Sequence, residues 1–319
     1  MVFYVYLDPE IIGIAQQQGI FAIQNLLGIV QGFVENCFLA EFEDYRIQQA
    51  IGEYVKNLPD CDERKRLKTL FIILQKRNRF IYCLVPDQTN QKSDKSLLFE
   101  QAGNSLIDLI LLSNLNGRPV LPRGITVTDL SNYQTTNFSS ERSAIASNGR
   151  QFHGGELDEY EFLDQNYKKA FMYAKRLEIC DAIFGRKFSD NFDYSVKILF
   201  RWLEIIHTNP EDFEVIFYCE KPTGTTDQYI KDRLTQYRYG RLVNTRIKIF
   251  FHSNDDEQCL PHDRYFVTDQ IAFQIGRGMD FIDKKTKRNR DTDINLKDPK
   301  EIENLIRHYK DYIIDEVLI

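Results

Sequence analysis

An α/β fold in two parts is what this sequence predicts. Short apolar runs rich in β-branched and aromatic residues alternate with longer stretches of helical period. A polar stretch over residues 131–159, dominated by Ser, Thr, Asn, Gln and Gly, interrupts that alternation. With 319 residues, 43% of them hydrophobic and 28% charged, the chain holds enough apolar material for two cores. The expected division is an α/β domain of unknown family over 1–130, a polar linker over 131–159, and a second α/β domain over 160–319.

The elements follow in order. "VFYVYLD" reads as a strand ending at Asp8, and residues 13–42 as one or two helices. "CDERKRLKTLFIILQKRN" predicts a helix beginning near Asp60. "RFIYCLVPD" predicts a strand stopped by Pro86. The stretch 95–117 predicts a helix ending near Asn114 to Gly117, and "RGITVTDL" a strand. In the second half, 166–176 is an amphipathic helix and "LEICDAIFG" a strand leading into a glycine turn. Residues 191–209 form a helix, apolar at Val196, Leu199, Trp202, Leu203 and Ile206. "FEVIFYCE" is a strand, and 225–242 a helix capped by Thr225 or Thr226. "RIKIFFHS", "DRYFVTD" and "IAFQIGRG" are three further strands, and 298–319 is a closing helix with Pro299 near its start.

Composition excludes several classes. A net charge of −6 argues against a protein that coats nucleic acid non-specifically, while leaving room for a local basic groove. The six cysteines, Cys37, Cys61, Cys83, Cys180, Cys219 and Cys259, contain no CxxC pair, which predicts buried free thiols in a reducing compartment and no zinc site. No basic segment precedes the first apolar run, and every apolar stretch falls short of a membrane span. A cytoplasmic protein without a transmembrane segment is therefore expected.

The chemistry-bearing stretch is "LPHDRYFVTDQIAFQIGRGMDF", residues 260–281. Strand alternation places His262, Arg264, Phe266 and Thr268 on one face, so the imidazole and the guanidinium can share one anion. Asp269 follows at the strand end, where a turn would bring its carboxylate back toward the ring. A neutral imidazole held that way can attack phosphorus, and a guanidinium stabilises the charge developing there. Gly276 and Gly278 offer close backbone approach to a phosphate, with Arg277 between them. Arg277 and Arg186 are phosphate ligands or salt-bridge partners in equal measure. The charged run 284–291 reads as a solvated loop suited to backbone contact with a polyanion. His153 and His207 read as structural.

His-x-Arg-x4-Asp followed by a glycine-containing strand resembles the HxKx4D signature of the phospholipase D superfamily, with Arg264 where the lysine usually stands. "HDR" and "IGRGMDF" are more specifically similar to the phospholipase D-like domain at the C-terminus of eukaryotic MIT-domain proteins and its bacterial relatives. "LEICDAIFGRKFSDNFDYSVKIL", with Asp181, Gly185, Arg186 and Asn191, resembles the opening strand and turn of that domain. The resemblance spans about residues 160–319. It implies a single-motif phospholipase D-like fold and a metal-independent phosphodiesterase, a nuclease of a prokaryotic defence or conflict system, acting without a cofactor. His262 would be the nucleophile, Arg264 the phosphate clamp and Asp269 the His-orienting group. Because superfamily catalysis uses two such motifs and one is present here, the resemblance implies a site shared across a homodimer. The MIT-type relatives are lipid-binding domains, which leaves a non-catalytic module for phosphate, lipid or partner protein as a second reading. Partner proteins of a multi-gene system are a further expectation.

A third reading places a PIN-like, metal-dependent nuclease in the first half. There Asp8, Asp87 and Asp108, with Glu41, Glu43 or Asp129, would converge on Mg²⁺.

Overall fold

The computed structural model describes residues 1–41, 46–82, 106–115, 124–186, 188–221, 227–252, 260, 262–310 and 313–318. The chain is an α/β protein of two compact units, Val2–Ser147 and Asn148–Ile319.

The first unit is built on five parallel strands: β1 (Phe3–Leu7), β2 (Cys37–Glu41), β3 (Phe80–Tyr82), β4 (Ile107–Leu112) and β5 (Thr126–Asp129), in the order β3-β2-β1-β4-β5. All five residues of β1 and of β2 are buried, as expected when helices cover both faces of a parallel sheet. The helices are α1 (Glu10–Gln18), α2 (Ile20–Asn36), α3 (Arg46–Asn57), α4 (Asp62–Lys76) and α5 (Asn137–Asn148).

Three expectations are corrected in this unit. "CFLAE" leaves the apolar run of α2 and becomes β2, pairing in register with β1. "IDLILL", read as the end of a helix, is β4; its continuous apolar run serves both faces of a central strand. The polar stretch 131–159 is not a linker. It contains α5, and the boundary between the units falls inside it, at 147/148. Phe138 packs edge-on against Phe3 and Tyr133. Arg142, 8% exposed, donates to the Gly32 carbonyl, Glu35 and Asn36.

The second unit has an eight-stranded mixed sheet. Its strands are β6 (Arg150–Phe152), β7 (Arg176–Cys180), β8 (Glu214–Glu220), β9 (Arg246–His252), β10 (Tyr265–Thr268), β11 (Ala272–Ile275), β14 (Thr292–Lys297) and β15 (Ile313–Leu318), in the order β15-β9-β8-β7-β10-β11-β14-β6. β7, β8 and β9 are parallel, and the flanking strands are antiparallel. A small hairpin, β12 (Ile282–Asp283) with β13 (Arg288–Asn289), follows β11.

Helices cover both faces of this sheet. α6 (Glu159–Phe171) opens on a capping box, Asp158 with Glu161, and α8 (Asp190–Ile206) on Ser189. Tyr167 and Phe171 of α6 stack together and meet Phe266 and Phe273 of the sheet, and Trp202 of α8 meets Phe171. On the opposite face α10 (Pro299–Lys310) sets Ile302 and Ile306 among Cys180, Tyr218, Tyr265 and Val267. Short α7 (Ala182–Arg186) follows β7, and α9 (Asp227–Tyr237) precedes β9. The closing stretch is not one helix: after α10 the chain turns into β15 and pairs with β9, since "IIDEVL" is served as well by strand hydrogen bonds as by helical ones.

Among the described cysteines, Cys37, Cys180 and Cys219 are buried and unbridged, and burial pushes the Cys37 and Cys180 thiols well up. Cys83 and Cys259 lie outside the described residues. No helix among the described residues is long and apolar enough to cross a membrane.

Candidate functional site

In an open α/β sheet the carboxyl ends of parallel strands are where backbone groups and side chains are left free to meet a ligand. In the second unit that edge carries Asp181 after β7, Glu220 at the end of β8 and His252 at the end of β9. Arg264 enters from the antiparallel neighbour β10.

Asp181 organises the edge. It is 1% exposed, and its Oδ1 accepts from the backbone of Ile183 and Phe184, closing the first turn of α7. Its Oδ2 accepts from the Met279 backbone at 2.8 Å, pinning the turn that follows β11. The Arg264 Nε lies 3.6 Å from Oδ1, and Nη1 donates to the Gly276 carbonyl at 2.6 Å. Burial outweighs these three N–H donors and the guanidinium, lifting the Asp181 carboxyl from its ordinary range to about 6.

Gly276 and Gly278 make room here for the protein's own side chains. A Cβ on Gly278, whose φ is +56°, would collide with Asp181 Oδ2 and Arg264 Cδ; one on Gly276 would strike Asp293 Oδ1. Gly185 is equally confined, by the Glu220 carbonyl. Arg277 is engaged by the Asp291 carbonyl and by Asp280, which Arg290 also grips with two 2.7 Å contacts. Arg277 therefore acts as a salt-bridge partner. Asn191 accepts from the Lys284 backbone at 3.1 Å, and the contacts of Asp181 with Arg264 and Met279 bring "LEICDAIFG" and "HDR…GRGMDF" into one constellation. Of Arg186, only the backbone is described, at the end of α7.

The expected triad does not assemble within the chain. His262 is exposed, two residues before Arg264, and no hydrogen-bond partner holds its ring among the described residues. Asp269 sits at the other end of β10, whose four residues alone span about 13 Å. Its Oδ1 accepts from the Lys175 backbone at 2.9 Å, at the start of β7. The turn after Thr268, closed by Thr268 N to the Ile271 carbonyl, leads into β11 and not back toward the imidazole.

His252 is the residue that sequence reasoning passed over. It is fully buried, in register with buried Glu220, 6.2 Å ring to ring from Tyr218, and neither ring nitrogen has a partner among the described residues. Burial drives its pKa down to about 4, so it is neutral at physiological pH. Nothing in "RIKIFFHS" marks it, because the strand reads as apolar. His207 is structural as expected: Nε2 meets the Ala174 carbonyl at 2.7 Å and Nδ1 accepts from Asn209.

In the first unit Asp8, Glu41 and Asp129 stand at the carboxyl ends of strands of one parallel sheet, each occupied by backbone N–H groups, while Asp108 lies away from that edge. Asp8, 1% exposed, accepts from the Glu10 and Ser113 backbones and ties β1 to the end of β4. Asp108 lies four positions away along the strands, accepting from the Tyr4 backbone at 2.8 Å beside an irregularity in the β1–β4 register. Glu41 receives the backbone N–H groups of Ile47 and Gln48, and Asp129 that of Asn132. Asp87 and Glu43 lie outside the described residues, and no metal-holding cluster occurs among the described ones.

Fold and edge together define an α/β protein with a buried carboxylate facing a half-buried guanidinium at the carboxyl ends of parallel strands. No family model, no curated protein and no solved structure matches the chain.

Proposed function

We propose that the second unit is a phosphodiester-binding module of phospholipase D-like type, taking an anionic phosphate at the His262–Arg264 end of β10. The observation that supports it is the placement of Arg264. Its side chain is 24% exposed and its guanidinium is oriented by the Asp181 carboxylate and the Gly276 carbonyl, with further N–H groups left unmatched by the described residues. A pre-oriented fork of that kind binds phosphate without first losing side-chain freedom. Hydrolysis is a separate matter. With Asp269 at the far end of β10, a His262 nucleophile lacks its orienting acid within the chain. Turnover would need a second copy to supply both that group and the second histidine.

Fluorescence anisotropy with short single- and double-stranded DNA and RNA in EDTA tests this. Binding that survives the chelator, falls about ten-fold or more in Arg264→Ala and weakens as salt rises is the expected result. No binding to any oligonucleotide would reject the reading. Cleavage in EDTA that disappears in His262→Ala would replace it with the homodimeric nuclease, and cleavage abolished by EDTA and by Asp8→Ala with the metal-dependent one.

A further inference from the structure

A cavity of about 320 Å³ opens between α3 and α4 in the first unit, with Phe80 of β3 also lining it. That size lies at the lower end of small-molecule sites. Its apolar wall is made by Ile51, Val55, Phe71 and Phe80, and its charged lining by Lys56, Arg64 and Lys68.

The charge arrangement is unusual for this chain, which carries an excess of six acidic groups. Three cations line one small cavity, yet among the described residues no carboxylate pairs with any of them. Among the described residues the Lys56 and Lys68 side chains make no hydrogen bond or ion pair, and the Arg64 side chain donates to the Leu58 carbonyl. The neighbouring acid Asp62 is turned to Lys65 instead. Lys56 and Lys68 are exposed and Arg64 is half-buried, so all three are charged and free to converge on an anion that enters the cavity beside its apolar wall.

Gly52 supplies the second observation. It lies within α3, where glycine costs about 0.5–1 kcal/mol against alanine, yet a Cβ there would meet nothing within 4 Å. Neither backbone conformation nor crowding explains the glycine. Gly52 is exposed and lines the cavity, so a long side chain at that position would compete for its space.

We infer that this cavity binds a small amphipathic anion, its acidic head among Lys56, Arg64 and Lys68 and its apolar body against Phe71 and Phe80. A carboxylate and a phosphate monoester share that chemistry, and competition separates them.

The probe is 1-anilinonaphthalene-8-sulfonate, an amphipathic anion whose fluorescence rises on leaving water, titrated into the full-length protein. Saturable binding of one probe per chain is expected, displaced by octanoate or octyl phosphate but not by octyltrimethylammonium. Whichever of the first two competes better identifies the head group. Gly52→Leu, which competes for the cavity space, should abolish the bound fluorescence, while Gly52→Ala should retain it and serve as the folding control. Lys56→Gln with Lys68→Gln should weaken binding about ten-fold, and the native affinity should fall with salt. The inference is overturned if no saturable binding occurs, if Gly52→Leu binds as tightly as the native protein, or if the cationic amphiphile competes equally well. None of these readouts depends on Arg264, so this site and the phosphodiester site fail or stand separately.

Discussion

Both sheets end their parallel strands in acidic side chains, and the two sets are used differently. In the first unit Asp8, Glu41 and Asp129 each accept backbone N–H groups from the segment that follows the strand or from a neighbouring strand end. These are caps, and a strand-end carboxylate so used is part of the framework. In the second unit Asp181 does the same for α7 but also holds a turn nearly a hundred residues away and faces a guanidinium. Asp8 also reaches a distant segment, through Ser113, so reach alone does not separate the two sites. A carboxylate that orients a cation as well builds a surface, and that is the mark separating them.

The largest effect should come from removing each kind of acid. Asp181→Ala leaves the Ile183 and Met279 N–H groups unmet and Arg264 without its carboxylate, a loss of about 3 kcal/mol in urea unfolding. Asp8→Ala should cost about 2 kcal/mol, with oligonucleotide binding by the remaining folded protein unchanged. Equal losses of binding in the two variants would erase the distinction.

Next is the pH dependence, where the buried groups of the second unit oppose one another. The Asp181 pKa is raised in the fold, from 3.8 to about 6, so its favourable contribution is complete below 3.8 and is lost as pH climbs through 6. The His252 pKa is depressed, from 6.5 to about 4, so its contribution is present above 6.5 and lost as pH falls toward 4. Between pH 4 and 6 the two nearly cancel. His252→Phe should expose the Asp181 effect alone. Relative to the native protein it gains about 2–3 kcal/mol at pH 4.5 over its standing at pH 7.5, read from urea midpoints at both values. An unchanged difference would show that His252 finds a partner in solution.

Gly278→Ala should cost about 2–3 kcal/mol, since it combines a left-handed φ with collision against Asp181 and Arg264. Thermal melting set against Gly52→Ala, which should gain about 0.5–1 kcal/mol, contrasts a glycine the fold needs with one it does not. The smallest effect belongs to Asp269→Ala, about 1 kcal/mol with phosphodiester affinity intact. A large loss of affinity there would restore the expected triad.

The sequence disclosed periodic structure better than it disclosed partners. The strand around Phe266 was legible from its alternation, although it begins only at Tyr265 and so leaves His262 and Arg264 just before it, and the helix around Trp202 was legible from its apolar stripe. β4 and β2 were not, because a strand buried on both faces loses the alternation that distinguishes it from a buried helix. α5 was hidden by its polar composition; its contact with the core rests on Phe138, Ile145 and a buried arginine. Asp269 was misplaced because spacing along a strand cannot reveal which way the following turn leads. His252 was invisible because an unmet ring nitrogen exists only once the surrounding strands have closed around it.

The pairing of β15 with β9 has a consequence for biosynthesis. β9 is translated about sixty residues before the strand that covers its outer edge, which at ordinary elongation rates is an interval of roughly 3–12 s. Throughout that interval Ile249, Phe250 and Phe251 belong to an open edge able to recruit another nascent chain. Yield from cells should therefore rise with slower initiation or with chaperones that shield strands, even where the finished protein is stable.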